Sequence, residues 1–554
     1  VTLKILAVSS EAFPLAKTGG LGDAVSGLCR SLHRGGGARV TLMLPAYRDT
    51  LRDAGDLREV GHLETSTGAG ATLLAGVSPA LGLPVLLVRD DALYDRVGLY
   101  VDDRGAEYPD NAIRFATLAQ AAARVAQGIH GVPRPDIVHA HDWHAALVPL
   151  YLRQWRVAGV KSVLTLHNIA FQGIFPLDLA PSLGIEARYC RADGAEFWGQ
   201  LNFLKAGIRY ADLISVVSRN YAREILTPRF GCGLEGVLAE RVRDMVPIPN
   251  GIDDSIWCPQ ADEYLPGRGF GLGRMGNKAV CKRELQRRFG LKEDQHATVM
   301  GLGSRMTAQK MADVAAQALP MALDAHPGLQ VCIIGHGDKA IEAALEDLGR
   351  RYPGRCGVRI GFEEREAHLL HAGADVLLHG SRFEPFGLAP LYAMRYGTIP
   401  IGSKVGGMAD TIVDLGAAGD LAAMRFASGV LFEGEAAADM ARAIERTMVL
   451  RQHPELWQAM QRNAMSADFS WAHATPLYVS AYRALRPDLA PATAEPQAFS
   501  NTAAVMPRQR QKAKGLAAAI QAAYGGGKAA GPAGRTRGQR RGEPLPLARE
   551  ASMP

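Results

Sequence analysis

The 554-residue sequence lacks the features that would place it in several common protein classes. It has seven cysteines (Cys29, Cys190, Cys232, Cys258, Cys281, Cys332 and Cys356), an odd number, scattered, with no CxxC pair. That argues against a disulfide framework or a zinc ribbon and fits reduced thiols in the cytoplasm. No apolar run approaches the ~18 residues of a membrane-spanning helix, so a membrane is not expected as a partner. Residues 1–10 carry one Lys and a short apolar run leading toward glycines, which reads as a first buried strand rather than a signal peptide. No GxxxxGK[ST] sequence occurs, so a P-loop is absent. No internal repeat is visible.

An excess of positive charge is also missing from most of the chain. The formal charge is +6, from 62 Lys+Arg and 56 Asp+Glu. Residues 487–554 hold ten basic and four acidic groups, and 10 − 4 = +6 accounts for all of it. Residues 1–486 are neutral, which weakens any reading as a nucleic-acid binder, because such a binder needs its charge on a folded face. Hydrophobic content of 47% with 21% charged residues is ordinary globular composition, with room for two or three cores.

What the sequence does contain is a regular alternation. Short apolar runs at 3–8, 40–44, 85–88, 136–139, 162–166 and 213–217 in the first half are separated by helical patterns. The second half repeats this at 298–302, 331–334, 358–360, 376–378 and 399–401. Continuous apolar strands with helices between them indicate parallel sheets covered on both faces, the doubly wound α/β class. Two Rossmann-like halves facing a cleft are expected, broken near 246–252, "VPIPNGI", whose prolines and Asn-Gly make a poor strand and a good linker. The expected divisions are 1–248, 249–463, a helix within 464–486, and a basic Ala/Gly/Pro-rich tail over 487–554 that reads as disordered.

In open parallel sheets ligands bind outside the carboxyl ends of the strands, so the residues after each strand are the candidates. After the first strand, Lys17 precedes Gly19, Gly20 and Gly22 at a helix start. Such a loop can approach a phosphate or sugar closely, and it can equally be a plain strand–helix turn. "HAHDWHAAL" brings His141, Asp142, Trp143 and His144 to a strand end. The spacing matches no recognised metal set; Trp beside Asp suits a sugar, with a stacking face and an acceptor. His167 and Asn168 end another strand, where His167 is either a cleft residue or a core histidine.

In the second half, Arg305 and Lys310 follow a strand and could neutralise a diphosphate leaving group, or be a solvated basic pair. "HGSRFEPFGLAPLYAMRYG" is the most informative segment: a strand ends at Leu378, Arg382 and Glu384 lie in the loop, and a helix begins near Gly387. The helix start offers amides to a phosphate. Glu384 could accept hydrogen bonds from sugar hydroxyls or simply cap the helix. "KVGGMADTI" adds a glycine pair at the next strand–helix turn.

The ordered set "SSEAFPLAKTGGLGDA", "HAHDWHAAL", "LHNIAFQG", "PNGIDDSIWCP", "SRM…QK", "SRFEPFGLAPLYAMRYGTIP", "GGMADTI" and "DFSW" resembles the bacterial glycogen synthases and the similar plant starch synthases over about residues 3–486. The resemblance implies a GT-B glycosyltransferase that moves glucose from ADP-glucose to the non-reducing end of an α-1,4-glucan such as glycogen, with retention. It implies no metal and no cofactor beyond the substrate. Lys17, Gly19 and Gly20 would contact donor phosphates and glucose. Asp142, His167 and Asn250 would line the glucose and acceptor side. Arg305 and Lys310 would hold the diphosphate, Glu384 the glucose, and the amides of Gly387 and Leu388 the distal phosphate. Phe362, where the family usually has Tyr, would stack on adenine. Tyr392 stands where more distant retaining transferases carry a second Glu. The helix after "DFSW" would cross back to the first half.

Besides Phe362, four further positions depart from the family's pattern. Met311 and Phe386 replace the usual Gly and Cys, and Ala389 and Pro390 the usual Thr and Gln. Met311 would crowd the phosphate loop if its backbone had positive φ. Two other readings therefore stand beside the first: a transferase with another donor or acceptor, and a catalytically impaired glucan-binding protein.

Overall fold

Each of the eleven apolar runs forms a strand in the computed structural model, which describes residues 2–35, 37–66, 70–416 and 425–489. The expected tail lies outside the described residues from 490 onward. The first sheet contains β1 (Leu3–Val8), β2 (Ala38–Pro45), β3 (Leu57–Leu63), β4 (Ala71–Ser78), β5 (Leu83–Arg89), β6 (Ile137–His141) and β7 (Lys161–Leu166). A separate three-stranded sheet of β8 (Ile174–Pro176), β9 (Glu196–Phe197) and β10 (Gln200–Asn202) follows. The chain then returns to the first sheet with β11 (Leu213–Val216) and β12 (Met245–Pro247).

The order is β12-β11-β7-β6-β1-β2-β5-β4-β3. It is parallel except at one edge, where β3, β4 and β5 pair antiparallel. The linker expected at 246–252 is corrected in part, because its first residues form the edge strand β12. Proline is tolerated there, since an edge strand leaves one row of N–H positions unpaired.

The second lobe is a six-stranded, wholly parallel sheet ordered β15-β14-β13-β16-β17-β18. Its strands are β13 (Thr298–Gly303), β14 (Leu329–Gly335), β15 (Cys356–Ile360), β16 (Val376–His379), β17 (Ile399–Ser403) and β18 (Val430–Phe432). Every residue of β14 and β16 is buried, as a sheet covered by helices on both faces requires. All seven cysteines are free thiols. Among the described residues, no helix is long and apolar enough to cross a membrane.

The chain passes between the lobes twice, and the two passages touch. Ile252 N–H donates to the Phe469 carbonyl at 2.8 Å beside a parallel bridge to Ser470. The helix Trp471–Leu485 then lies against the first lobe. Its Thr475 hydroxyl meets Ser31 at 2.7 Å and its Tyr482 hydroxyl meets His139 Nδ1 at 2.8 Å. Arg486 donates to the Gly159 carbonyl at 2.8 Å, and Pro487–Leu489 closes in a 3₁₀ turn.

Candidate active site

The loop after β16 holds the densest charge pairing. Glu384 is buried, and its Oε2 accepts from Lys310 Nζ, from His379 Nε2 at 3.1 Å and from Ser381 Oγ at 3.3 Å. Burial opposes ionisation of Glu384, yet the Lys310 ammonium and the His379 ring hold its carboxyl well below the usual carboxylate range. Glu384 therefore stays charged and does not cap the helix Leu388–Arg395, whose N-cap, Gly387 at φ 86°, has no side-chain cap bond. Arg305 is half-buried; burial weakens its hold on its proton, while Glu384 and Glu11 act the other way. Its guanidinium donates to Gln309 at 3.2 Å. Arg382 is tied up elsewhere, by two bonds to Asp313 at 3.0 and 2.9 Å and one to Glu435 at 3.1 Å.

From the first lobe, the loop after β1 meets this group. Glu11 is its organiser: one oxygen accepts from Thr18 N–H at 2.9 Å and Gly19 N–H at 3.2 Å, the other from the Thr18 hydroxyl at 2.8 Å and the Tyr100 hydroxyl at 2.6 Å. Lys17 points toward the cleft between Asp23 at 3.1 Å and Glu364 of the second lobe at 3.7 Å. Burial raises the Asp23 carboxyl to about 6, against the pull of Lys17. Gly19 and Gly20 are exposed, and a Cβ on Gly20 would lie 3.4 Å from Leu388 Cδ1 across the cleft.

The ends of β6 and β7 supply the polar wall. Asp142, at φ 57°, accepts from His167 N–H at 2.9 Å and Asn168 N–H at 3.2 Å. Burial raises its carboxyl to about 7 in spite of those bonds. His167 Nε2 lies 3.1 Å from His141 Nδ1, and burial pushes the His167 ring down to about 3, so it is neutral. Asn250 is buried, and its Oδ1 has no hydrogen-bond partner among the described residues. Trp143 differs from expectation. Its ring is packed on Phe115, centroids 5.0 Å apart, with Phe175 and Phe203 nearby, so it is part of an aromatic cluster and not a free stacking face.

Tyr392 stacks on Trp257, centroids 3.8 Å apart, and Trp257 stacks on His368 at 4.0 Å. Phe362 follows β15 on an exposed loop, with 59% of its surface accessible. Met311 has φ 50°, the condition under which crowding was expected, but its side chain is fully buried beside Gly380 and Ser403. It packs into the core beside those two residues.

Of the expected residues, Lys17, Arg305, Lys310, Glu384, Gly387 and Leu388 meet at one cleft, and Glu11, Glu364 and His379 join them unexpected. Glu11 follows β1 within the "SSEAF" stretch, so the carboxyl-edge rule pointed at it. Among the described residues, no group of three or more His, Cys, Asp or Glu side chains could hold a metal ion. The cleft offers cations and amides to an anion and a fixed carboxylate to hydroxyl groups.

Two Rossmann-like lobes with such a cleft between them define a GT-B glycosyltransferase. Residues 4–240 match the starch synthase catalytic domain family and residues 283–466 the glycosyl transferases group 1 family. The glycogen synthase of Bordetella petrii is 54% identical over 477 residues, covering 86% of this chain and 91% of that one. That of Ralstonia nicotianae is 49% identical, covering 89% and 90%. The catalytic domain of starch synthase IV from Arabidopsis thaliana, solved bound to ADP and acarbose, superposes with a TM-score of 0.79 at 26% identity, over 87% of this chain and 99% of that one. The chain belongs to the glycogen and starch synthase family.

Proposed function

We propose that the chain transfers glucose from ADP-glucose to the non-reducing end of an α-1,4-glucan, with retention, releasing ADP. The observation that carries this reading is the Glu384–Lys310 pair with Arg305 beside it, facing the Lys17 loop across the cleft. Arg305 and Lys310 neutralise the diphosphate as the glycosidic C–O bond breaks, and the amides of Gly387 and Leu388 receive the distal phosphate. Glu384 accepts hydrogen bonds from the glucose hydroxyls and stabilises the positive anomeric carbon. The acceptor hydroxyl attacks on the face the diphosphate leaves, and the departing phosphate oxygen takes its proton.

Lys17, Gly19 and Gly20 close over the donor, Phe362 stacks on adenine, and Tyr392 stands behind the sugar. Asp142, neutral His167 and the unpaired Asn250 Oδ1 face the glucose and the incoming chain. The charge chemistry is supplied by protein cations, so the reading calls for no metal and no cofactor. The relatives named glycogen synthase support the acceptor, and the ADP-bound neighbour supports the donor.

The test is ADP release from a panel of ADP-glucose and UDP-glucose, with and without glycogen. Glycogen-dependent release from ADP-glucose is expected. Glu384→Ala or Lys310→Ala should lower the rate by about a hundredfold or more in a protein that still melts cooperatively. Preference for UDP-glucose would replace the donor; glycogen binding with no turnover would leave a binding protein.

A further inference from the structure

The Glu384 loop is supported from below by a turn that the first lobe itself holds. Gly406 and Gly407, after β17, lie directly against residues 384–386. Gly407 N–H donates to the carbonyls of Glu384 and Pro385, both at 3.2 Å. A Cβ on Gly406 would fall 1.7 Å from the Glu384 carbonyl oxygen, and one on Gly407 would fall 2.3 Å from that of Phe386. No side chain fits there, so the two segments move as one. The next amide back, Gly406 N–H, is taken by Glu224 of the first lobe, whose two oxygens accept it at 2.9 and 3.0 Å. Asn220 Nδ2 steadies Glu224 from its own helix at 2.7 Å. The same helix makes a second crossing, Asn220 N–H to Asp410 Oδ2 at 2.9 Å, a turn farther along the helix Gly406–Thr411.

We propose that Glu224 is a positioning residue for the transfer reaction: contact between the lobes, made through its carboxylate, seats the Gly406–Gly407 turn and with it the backbone that aims Glu384. This rests on the assignment of Glu384 to glucosyl transfer. A reactive carboxylate set by a lobe-to-lobe contact is in register only when the lobes are together, which ties transfer to exclusion of water.

The test uses the full chain, with ADP-glucose and glycogen both saturating. Glu224→Ala should lower kcat by about tenfold to a hundredfold through misplacement of Glu384, with donor KM changed less than about threefold. Glu224→Gln keeps an acceptor oxygen and should recover most of that loss. Asp410→Ala removes the neighbouring crossing at the far end of the helix Gly406–Thr411 and should leave kcat within about twofold, since the Gly406 amide keeps its Glu224 partner. Amide hydrogen exchange at 384–388 should rise in Glu224→Ala and not in Asp410→Ala. A normal kcat in Glu224→Ala, or an equal loss in Asp410→Ala, overturns the inference. Full activity in Glu384→Ala would instead overturn the functional assignment beneath it.

Discussion

Met311 shows how one residue can break a local rule and still be stable. A left-handed backbone disfavours any residue with a Cβ by roughly 1–2 kcal/mol, and φ here is 50°. The side chain that incurs this strain is fully buried against Gly380. Truncating a buried Met typically loses about 2–5 kcal/mol, more than the strain returns. Met311→Gly should therefore lower stability by about 1–3 kcal/mol, read from urea midpoints, despite restoring the residue the family usually has. A more stable variant would mean the strain outweighs the packing. At the same scale the charged site was readable in advance: Arg305, Lys310 and Glu384 follow strands and carry the charges that phosphate and sugar chemistry need. Glu364 and Glu224 were not readable, because their partners Lys17 and Gly406 lie 364 − 17 = 347 and 182 positions away and no local pattern joins them.

Among elements, the returning helix Trp471–Leu485 depends on two close approaches. A Cβ on Gly27 would lie 2.0 Å from Trp471 Nε1, and one on Gly251 would lie 2.6 Å from the Trp471 backbone nitrogen. Gly27→Ala should cost about 1–3 kcal/mol through overpacking. Gly236→Ala, in the helix Glu235–Glu240 with nothing within 4 Å of the new Cβ, should be neutral or slightly stabilising by comparison. Equal melting temperatures for the two variants would show that the helix yields easily. The strands legible in the sequence are the continuous apolar ones, buried on both faces. β3 escaped notice because LREVGHL is mostly exposed or half-buried at an antiparallel edge. β12 escaped because Pro247 speaks against a strand unless it is known to be an edge.

For the whole molecule, acid is the informative perturbation. Burial holds His139, His167 and His371 neutral, each with a ring pushed down to about 3. The unfolded chain binds protons on these rings near 6.5, so the folded state falls behind as pH drops from about 6.5 to 3. Each then gives up on the order of 1–2 kcal/mol by pH 5. Glu384, held low, adds to the loss below about pH 4.5. Asp142 and Asp23, raised to about 7 and 6, act in the opposite direction, with their stabilisation lost as pH rises through those values. Three histidines against two aspartates predict a urea midpoint that falls from pH 7 to 5; a flat profile would mean the rings titrate in the folded state.

The +6 charge belongs to residues 487–554, and every site residue lies before them. A chain ending at residue 489 should keep its glucosyl-transfer rate within about threefold, measured as ADP release; a dead truncation would make the remainder part of the catalytic unit.

The paired passages at Ile252 and Phe469 have a mechanical meaning. One connecting segment is a tether that allows any relative motion. Two, bonded side by side at 2.8 Å, act as a hinge with adjacent pins. Sliding one lobe past the other would shear that bond, whereas swinging about it stretches little. The relative motion of the lobes thus reduces toward a single rotation, and the contacts farthest from the pins sweep the widest arc.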